Sequence, residues 1–123
     1  MGMDYSKQQL GNKGELAVAY KLMQEGYTLV ARNYRIRGGE IDIIARKDEI
    51  LAFVEVKTRK NIMFPLSQVI TKTKQKTIIR TAKQFLCSHN QETIDTVYRF
   101  DVALVQERDV SSITYIPNAF VGE

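Results

Sequence analysis

The sequence predicts an α/β or α+β domain with a mixed sheet covered by helices, its elements in the order α-β-β-β-α-β-β. Three observations carry this expectation. An apolar helical period opens the chain, three β-branched runs joined by hairpin-length turns follow, and a second helical period then leads into two more β-rich runs. With 123 residues, 44% hydrophobic and 26% charged, the chain can build one core, so residues 1–123 are expected to form a single domain. No apolar run approaches the roughly 18 residues a membrane span needs, and the polar start MGMDYSKQQ does not read as a signal peptide. A cytoplasmic location without a membrane partner is therefore expected.

The first helix is expected over Gly11–Glu25, with Leu16, Ala19, Tyr20 and Met23 at i, i+3, i+4, i+7 as its inward stripe and Gly26 as its C-terminal cap. Tyr27–Ile36 is rich in β-branched and aromatic residues and reads as a strand that Gly38-Gly39 breaks. Glu40–Arg46 and Ile50–Lys57 then form an antiparallel hairpin around Lys47-Asp48-Glu49. After Pro65 a long helical pattern, in one or two pieces, runs to Cys87–Asn90 and buries Ile78, Ala82 and Phe85 beside Ile79 and Leu86. VYRFDVALVQ is the next strand, and Ile113–Ile116 the last, ending before Pro117. A packing role is expected for the lone Cys87 and a surface or C-terminal-turn position for His89; one His and one Cys cannot build a zinc site.

The net charge of +4 is unevenly spread. Between Glu55 and Glu92 lie eight Lys or Arg residues and no acid, which leaves 10 basic against 14 acidic residues elsewhere, a balance of −4. One reading is a polyanion held beside a carboxylate site, and the other is a solvated helix face.

The hairpin holds the chemistry. On alternating strands, Glu40, Asp42 and Ile44 are expected to share one face, as are Leu51, Phe53, Glu55 and Lys57. Pairing then brings Asp42, Glu55 and Lys57 together at one end of the sheet. Two close carboxylates repel unless a cation sits between them, and Mg²⁺ or Mn²⁺ prefers such oxygen donors. A lysine on the same face can help deprotonate a water and stabilise developing negative charge, so the trio describes metal-assisted phosphodiester hydrolysis. The plainer reading is a cross-strand Glu55–Lys57 ion pair with Asp42 at a strand edge. Against it, IDIIA and LAFVEVK are too apolar to be solvated ribbons.

Asp42-x12-Glu55-x-Lys57, preceded by a helix with its own Glu15, resembles the PD-(D/E)xK nuclease superfamily. More narrowly, the chain resembles the uncharacterised YraN-type family of bacterial proteins, which is similar to Holliday-junction resolvases. The matching pieces are GNKGELAVAYKLMQEGY, ARNYRIRGGEIDIIA and FVEVKTR, continuing through Lys74-Gln75, RFDV and NAF. The resemblance implies a restriction-endonuclease-like α-β-β-β-α-β core. It also implies Asp42 and Glu55 as metal ligands, Lys57 as the catalytic lysine, Glu15 beside the same metal, Gln75 near the site and Glu40 as an auxiliary. Ile41 stands where the superfamily has proline, which removes no ligand, and Phe64-Pro65 stands where the family usually has glycine.

Lys72, Lys74, Lys76, Arg35, Arg37 and Arg59 are the candidate nucleic-acid contacts. Gly11 and Gly14 read either as a phosphate-accepting helix start or as small residues for close packing. Tyr5, Tyr27 and Tyr34 read as packing aromatics, and Arg99–Asp101 as a buried structural pair. The functional expectation is a Mg²⁺-dependent endonuclease acting on DNA, with branched DNA among its substrates, for which a symmetric homodimer would be suited. The alternatives are a non-catalytic nucleic-acid binding module on the same architecture and a protein–protein adaptor. These differ in their response to salt and to Asp42→Asn.

Overall fold

The computed structural model describes residues 7–60, 69–89 and 92–122. In chain order these form α1 (Lys7–Gln24), β1 (Thr28–Ile36), β2 (Gly39–Lys47), β3 (Ile50–Arg59), α2 (Lys72–Ser88), β4 (Val97–Gln106) and β5 (Ile113–Phe120). The five strands make one sheet in sequence order, and β3–β4 is its single parallel pairing. α2 supplies the crossover that a parallel pair requires. The result is a mixed sheet flanked by helices, consistent with a restriction-endonuclease-like core. Among the described residues no helix is long and apolar enough to cross a membrane.

The sheet buries both faces. On one, Val18, Ala19 and Leu22 of α1 pack on Ile43, Ala45, Ala52, Val54, Ala103 and Val105. On the other, Ile78, Ala82 and Phe85 of α2 join Ile44, Leu51, Phe53, Phe100, Val102 and Leu104. Gly39 permits the α2 contact, because a Cβ there would stand 2.1 Å from the Thr81 hydroxyl.

Four sequence expectations are corrected. α1 begins at Lys7, so Gly11 and Gly14 lie inside the helix, and their amides serve its own hydrogen-bond ladder and not a phosphate. α1 also turns a different side inward: Leu16, Tyr20 and Met23 are exposed, and only Ala19 of the expected stripe is buried. Gly14 fixes that rotation. A Cβ there would stand 2.5 Å from Thr58 Oγ1, so the glycine side of the helix is the one that can descend onto β3. β5 continues past Pro117 to Phe120, because it is an edge strand where a missing N–H breaks no ladder. Cys87 is exposed, on the outer side of α2. His89 is exposed too, and its ring stacks on Phe85 at 4.4 Å. Tyr5 and the Phe64-Pro65 stretch lie outside the described residues.

Candidate active site

The pairing of β2 with β3 runs from Lys47↔Ile50 to Ile43↔Val54 and goes no further. β2 nevertheless stays paired to β1 as far as Gly39, and β3 stays paired to β4 as far as Arg59. The two central strands therefore part while each is held from outside. Asp42 and Glu55 are the first residues beyond the parting, one on each arm.

The β1–β2 ladder is interrupted beside this fork. The β1–β2 register passes from Arg32↔Ile43 to Tyr34↔Ile41 without an Asn33–Asp42 pair, and Asn33 takes a left-handed φ of 51°. Ile41 consequently packs in the α2-side core and Ile43 in the α1-side core. Strict alternation would have put both on one side, so the alternation that the sequence suggested breaks at Asp42. Its carboxylate lies across the gap, where Oδ2 accepts the Val56 N–H at 2.8 Å.

Glu55 is buried, 6% exposed, and lies within hydrogen-bonding reach of Asp42. Burial, then the charge and hydrogen bond of Asp42, push its pKa from 4.5 up to about 8; Lys57 and Lys74 only partly offset this. Lys57 Nζ stands 3.7 Å from Glu55 Oε1. The sequence trio Asp42, Glu55 and Lys57 is thus brought together.

Glu15 approaches from α1. Burial first, and then the charge of Asp42, raise its pKa to about 7, against Arg32 and a hydrogen bond with Asn33. Its Oε1 is buried without a hydrogen-bond partner, the nearest cation being Arg32 Nη2 at 3.9 Å. Among the described residues no three His, Cys, Asp or Glu side chains converge tightly enough to form a metal-holding cluster. Glu15 therefore stands one step outside the Asp42–Glu55 pair.

The other candidates differ. Glu40, half-buried, accepts at Oε2 from Arg35 Nε at 3.1 Å, and its charge reaches Glu15, whose pKa it helps to raise. Arg37 and Arg59 are exposed, and Arg59 donates to the Thr58 carbonyl at 2.9 Å. On α2, Lys74 is the cation that Glu55 feels. Gln75 instead donates to the Ile70 carbonyl at 3.2 Å and lines a separate groove with Lys72 and Lys76. Sequence reasoning missed Arg32 and Asn33, which hold Glu15 in place. The only signal was an asparagine within a β-branched run, a residue type that tolerates left-handed backbone.

Arg99 and Asp101 form the expected pair, with Asp101 buried and Arg99 half-buried. Asp101 is fully buried and accepts from Arg99 Nε and Nη2 at 2.9 and 2.8 Å, from the Tyr115 hydroxyl at 2.6 Å and from the Asn118 N–H at 2.9 Å. These bonds clasp the irregularity where the β4–β5 register shifts between Phe100 and Val102.

Residues 14–105 match the model of the uncharacterised protein family UPF0102. A UPF0102 protein of Prosthecochloris aestuarii is 52% identical over 98 residues, covering 78% of this chain and 75% of its own. One from Desulfosudis oleivorans is 47% identical over 115 residues, 93% and 91% of the two chains. A Vibrio parahaemolyticus relative is 38% identical over 121 residues, 97% of each. The chain belongs to family UPF0102, the YraN family.

Proposed function

We infer that the protein is a dication-dependent endonuclease that hydrolyses DNA phosphodiesters, branched DNA among them. The observation that supports this reading best is the fork itself: two carboxyls within hydrogen-bonding reach, buried, with a lysine ammonium 3.7 Å from one of them.

The donor set suits Mg²⁺ or Mn²⁺. Asp42 and Glu55 offer hard oxygens, burial and then their mutual repulsion leave Glu55 reluctant to ionise, and Glu15, with Oε1 buried and not hydrogen-bonded, feels the charge of Asp42. Asp42 and Glu55 would hold the ion, with Glu15 reaching it through a water molecule. Bound there, it would supply Lewis acidity, offsetting charge on a phosphodiester oxygen and making water more acidic. The protein's own groups do the rest. The Val56 N–H orients Asp42, and Lys57 offers a cation to the charge that grows as the phosphodiester is attacked. Arg32 and Asn33 fix Glu15.

The test is incubation with junction, flap and duplex DNA in Mg²⁺ or Mn²⁺. Cleavage that Asp42→Asn and Lys57→Ala each reduce at least a hundredfold is expected. Failure to cut any substrate sinks the reading. One observation favours the second reading, a nucleic-acid binding module without catalysis: among the described residues no third carboxylate closes on the Asp42–Glu55 pair. It predicts salt-sensitive DNA binding indifferent to Asp42→Asn.

A further inference from the structure

Two further cavities adjoin along the flank of α2, between the helix, the sheet and the residues that follow β5. The first, a groove of about 430 Å³, carries Lys72, Gln75, Lys76, Ile79, Arg80 and Lys83. The second, about 200 Å³, is bounded by Phe53, Ile79, Ala82, Leu86, Tyr98 and Phe100, and its accessible lining is almost wholly apolar. Ile79 and Lys83 belong to both, so the basic groove opens directly onto an aromatic floor.

The cations follow a helical step. Lys72, Lys76 and Arg80 are four residues apart, so each rises roughly 6 Å along α2 beyond the last, comparable to the step between phosphates of an extended strand. Arg80 Nη2 donates to the Gly38 carbonyl at 2.8 Å, which pins it to the β1–β2 turn. The floor is ordered as well: Phe100 stacks on Phe53 at 5.5 Å and on Phe120 at 5.1 Å. Tyr98, 40% exposed at the cavity edge, is held by its hydroxyl against the Glu92 carboxylate. The volume is below that of a drug-sized site and suits one planar heterocycle.

We propose that this paired cavity seats an unpaired stretch of DNA, its phosphates on Lys72, Lys76, Arg80 and Lys83 and one base inserted between Tyr98, Ile79 and Leu86. This deepens the nuclease reading and rests on it, by naming single-stranded segments as the substrate feature recognised. A duplex cannot use the apolar half, because its bases are stacked inside. Charge complementarity selects the occupant: an apolar peptide would leave the cation row unmatched, whereas a polynucleotide satisfies both halves.

Fluorescence anisotropy in EDTA separates the inference from catalysis. A labelled twelve-residue oligothymidylate is expected to bind at least tenfold more tightly than a duplex of equal length. Tyr98→Ala should weaken the oligothymidylate about tenfold, the scale of one stacked base, Leu86→Ala should weaken it through lost apolar contact, and both should leave the duplex unchanged. Lys76→Ala should reduce the salt slope for the single strand by about 0.7. Melting curves establish that each variant is folded. Equal affinity for the two DNAs, or folded Tyr98→Ala and Leu86→Ala variants that bind the single strand as the wild type does, overturns the proposal. If cleavage of the junction panel persists while the single-strand preference is absent, the nuclease reading survives and this one falls. A single-strand preference without cleavage in any metal supports the seat for unpaired DNA and removes the nuclease reading.

Discussion

Two buried acidic clusters lie almost side by side in this sheet, and they solve the same problem in opposite ways. Asp101 pairs in register with Val54, the residue before Glu55. Asp101 is surrounded by donors: a guanidinium, a phenol hydroxyl and a backbone amide. Glu55 meets chiefly another carboxylate, with one lysine at 3.7 Å, and its pKa climbs to about 8. Burial alone does not mark a functional acid. What separates the two is whether the protein supplies enough donors to satisfy the charge.

The largest expected effect of a substitution breaks the satisfied cluster. Asp101→Asn leaves Arg99 without its counter-charge and should lower the unfolding free energy by roughly 3 kcal/mol, read by urea denaturation. The unsatisfied cluster should respond instead to an added ion. Mn²⁺ at a hundred times its dissociation constant should stabilise the wild type by about 2.7 kcal/mol, and Asp42→Asn should gain little. A smaller gain in the wild type than in the variant would argue against a shared ion.

Chelating dications sharpens the contrast through pH. An unfolded Glu55 ionises near 4.5 and the folded one near 8, so across that window the native state holds the extra proton. Stability should therefore fall as pH rises from about 4.5 to 8, by up to roughly 5 kcal/mol, and the contribution is fully present only below the window. Glu55→Gln removes the proton linkage: its stability profile should be flatter than that of the wild type, and at pH 8 in EDTA it should be the more stable by about 1 kcal/mol. A wild-type curve as flat as that of Glu55→Gln would mean that the folded carboxyl is not held protonated. The smallest effect concerns Glu15. Arg32→Ala should change stability by under about 1 kcal/mol, yet raise the Glu15 pKa above its value near 7, as carboxyl NMR titration would report.

Much of this was legible in the residues. Element order, the hairpin, and the convergence of Asp42, Glu55 and Lys57 follow from period, turn length and apolar context. The α1 face was misread because Leu16, Tyr20 and Met23 and the set Val18, Ala19 and Leu22 both recur at helical spacing. A tertiary contact, Gly14 over Thr58, decides between them. β5 was cut short at Pro117 because its position at the sheet edge and the left-handed Asn118 (φ 53°) are properties of the assembled sheet. The departure of Asp42 from strict alternation was hidden for the same reason. The left-handed Asn33 stands across the strand pair from it, and periodicity within one strand carries no record of its neighbour.

The fork has a mechanical consequence. Its two arms are braced on their far sides by β1 and β4, like a split beam clamped along both outer edges, so the gap cannot widen or close without shearing ladders that reach into the body of the protein. Whatever fits between those arms must conform to an opening cut in advance, and damage in a remote outer strand would register there as a change of width.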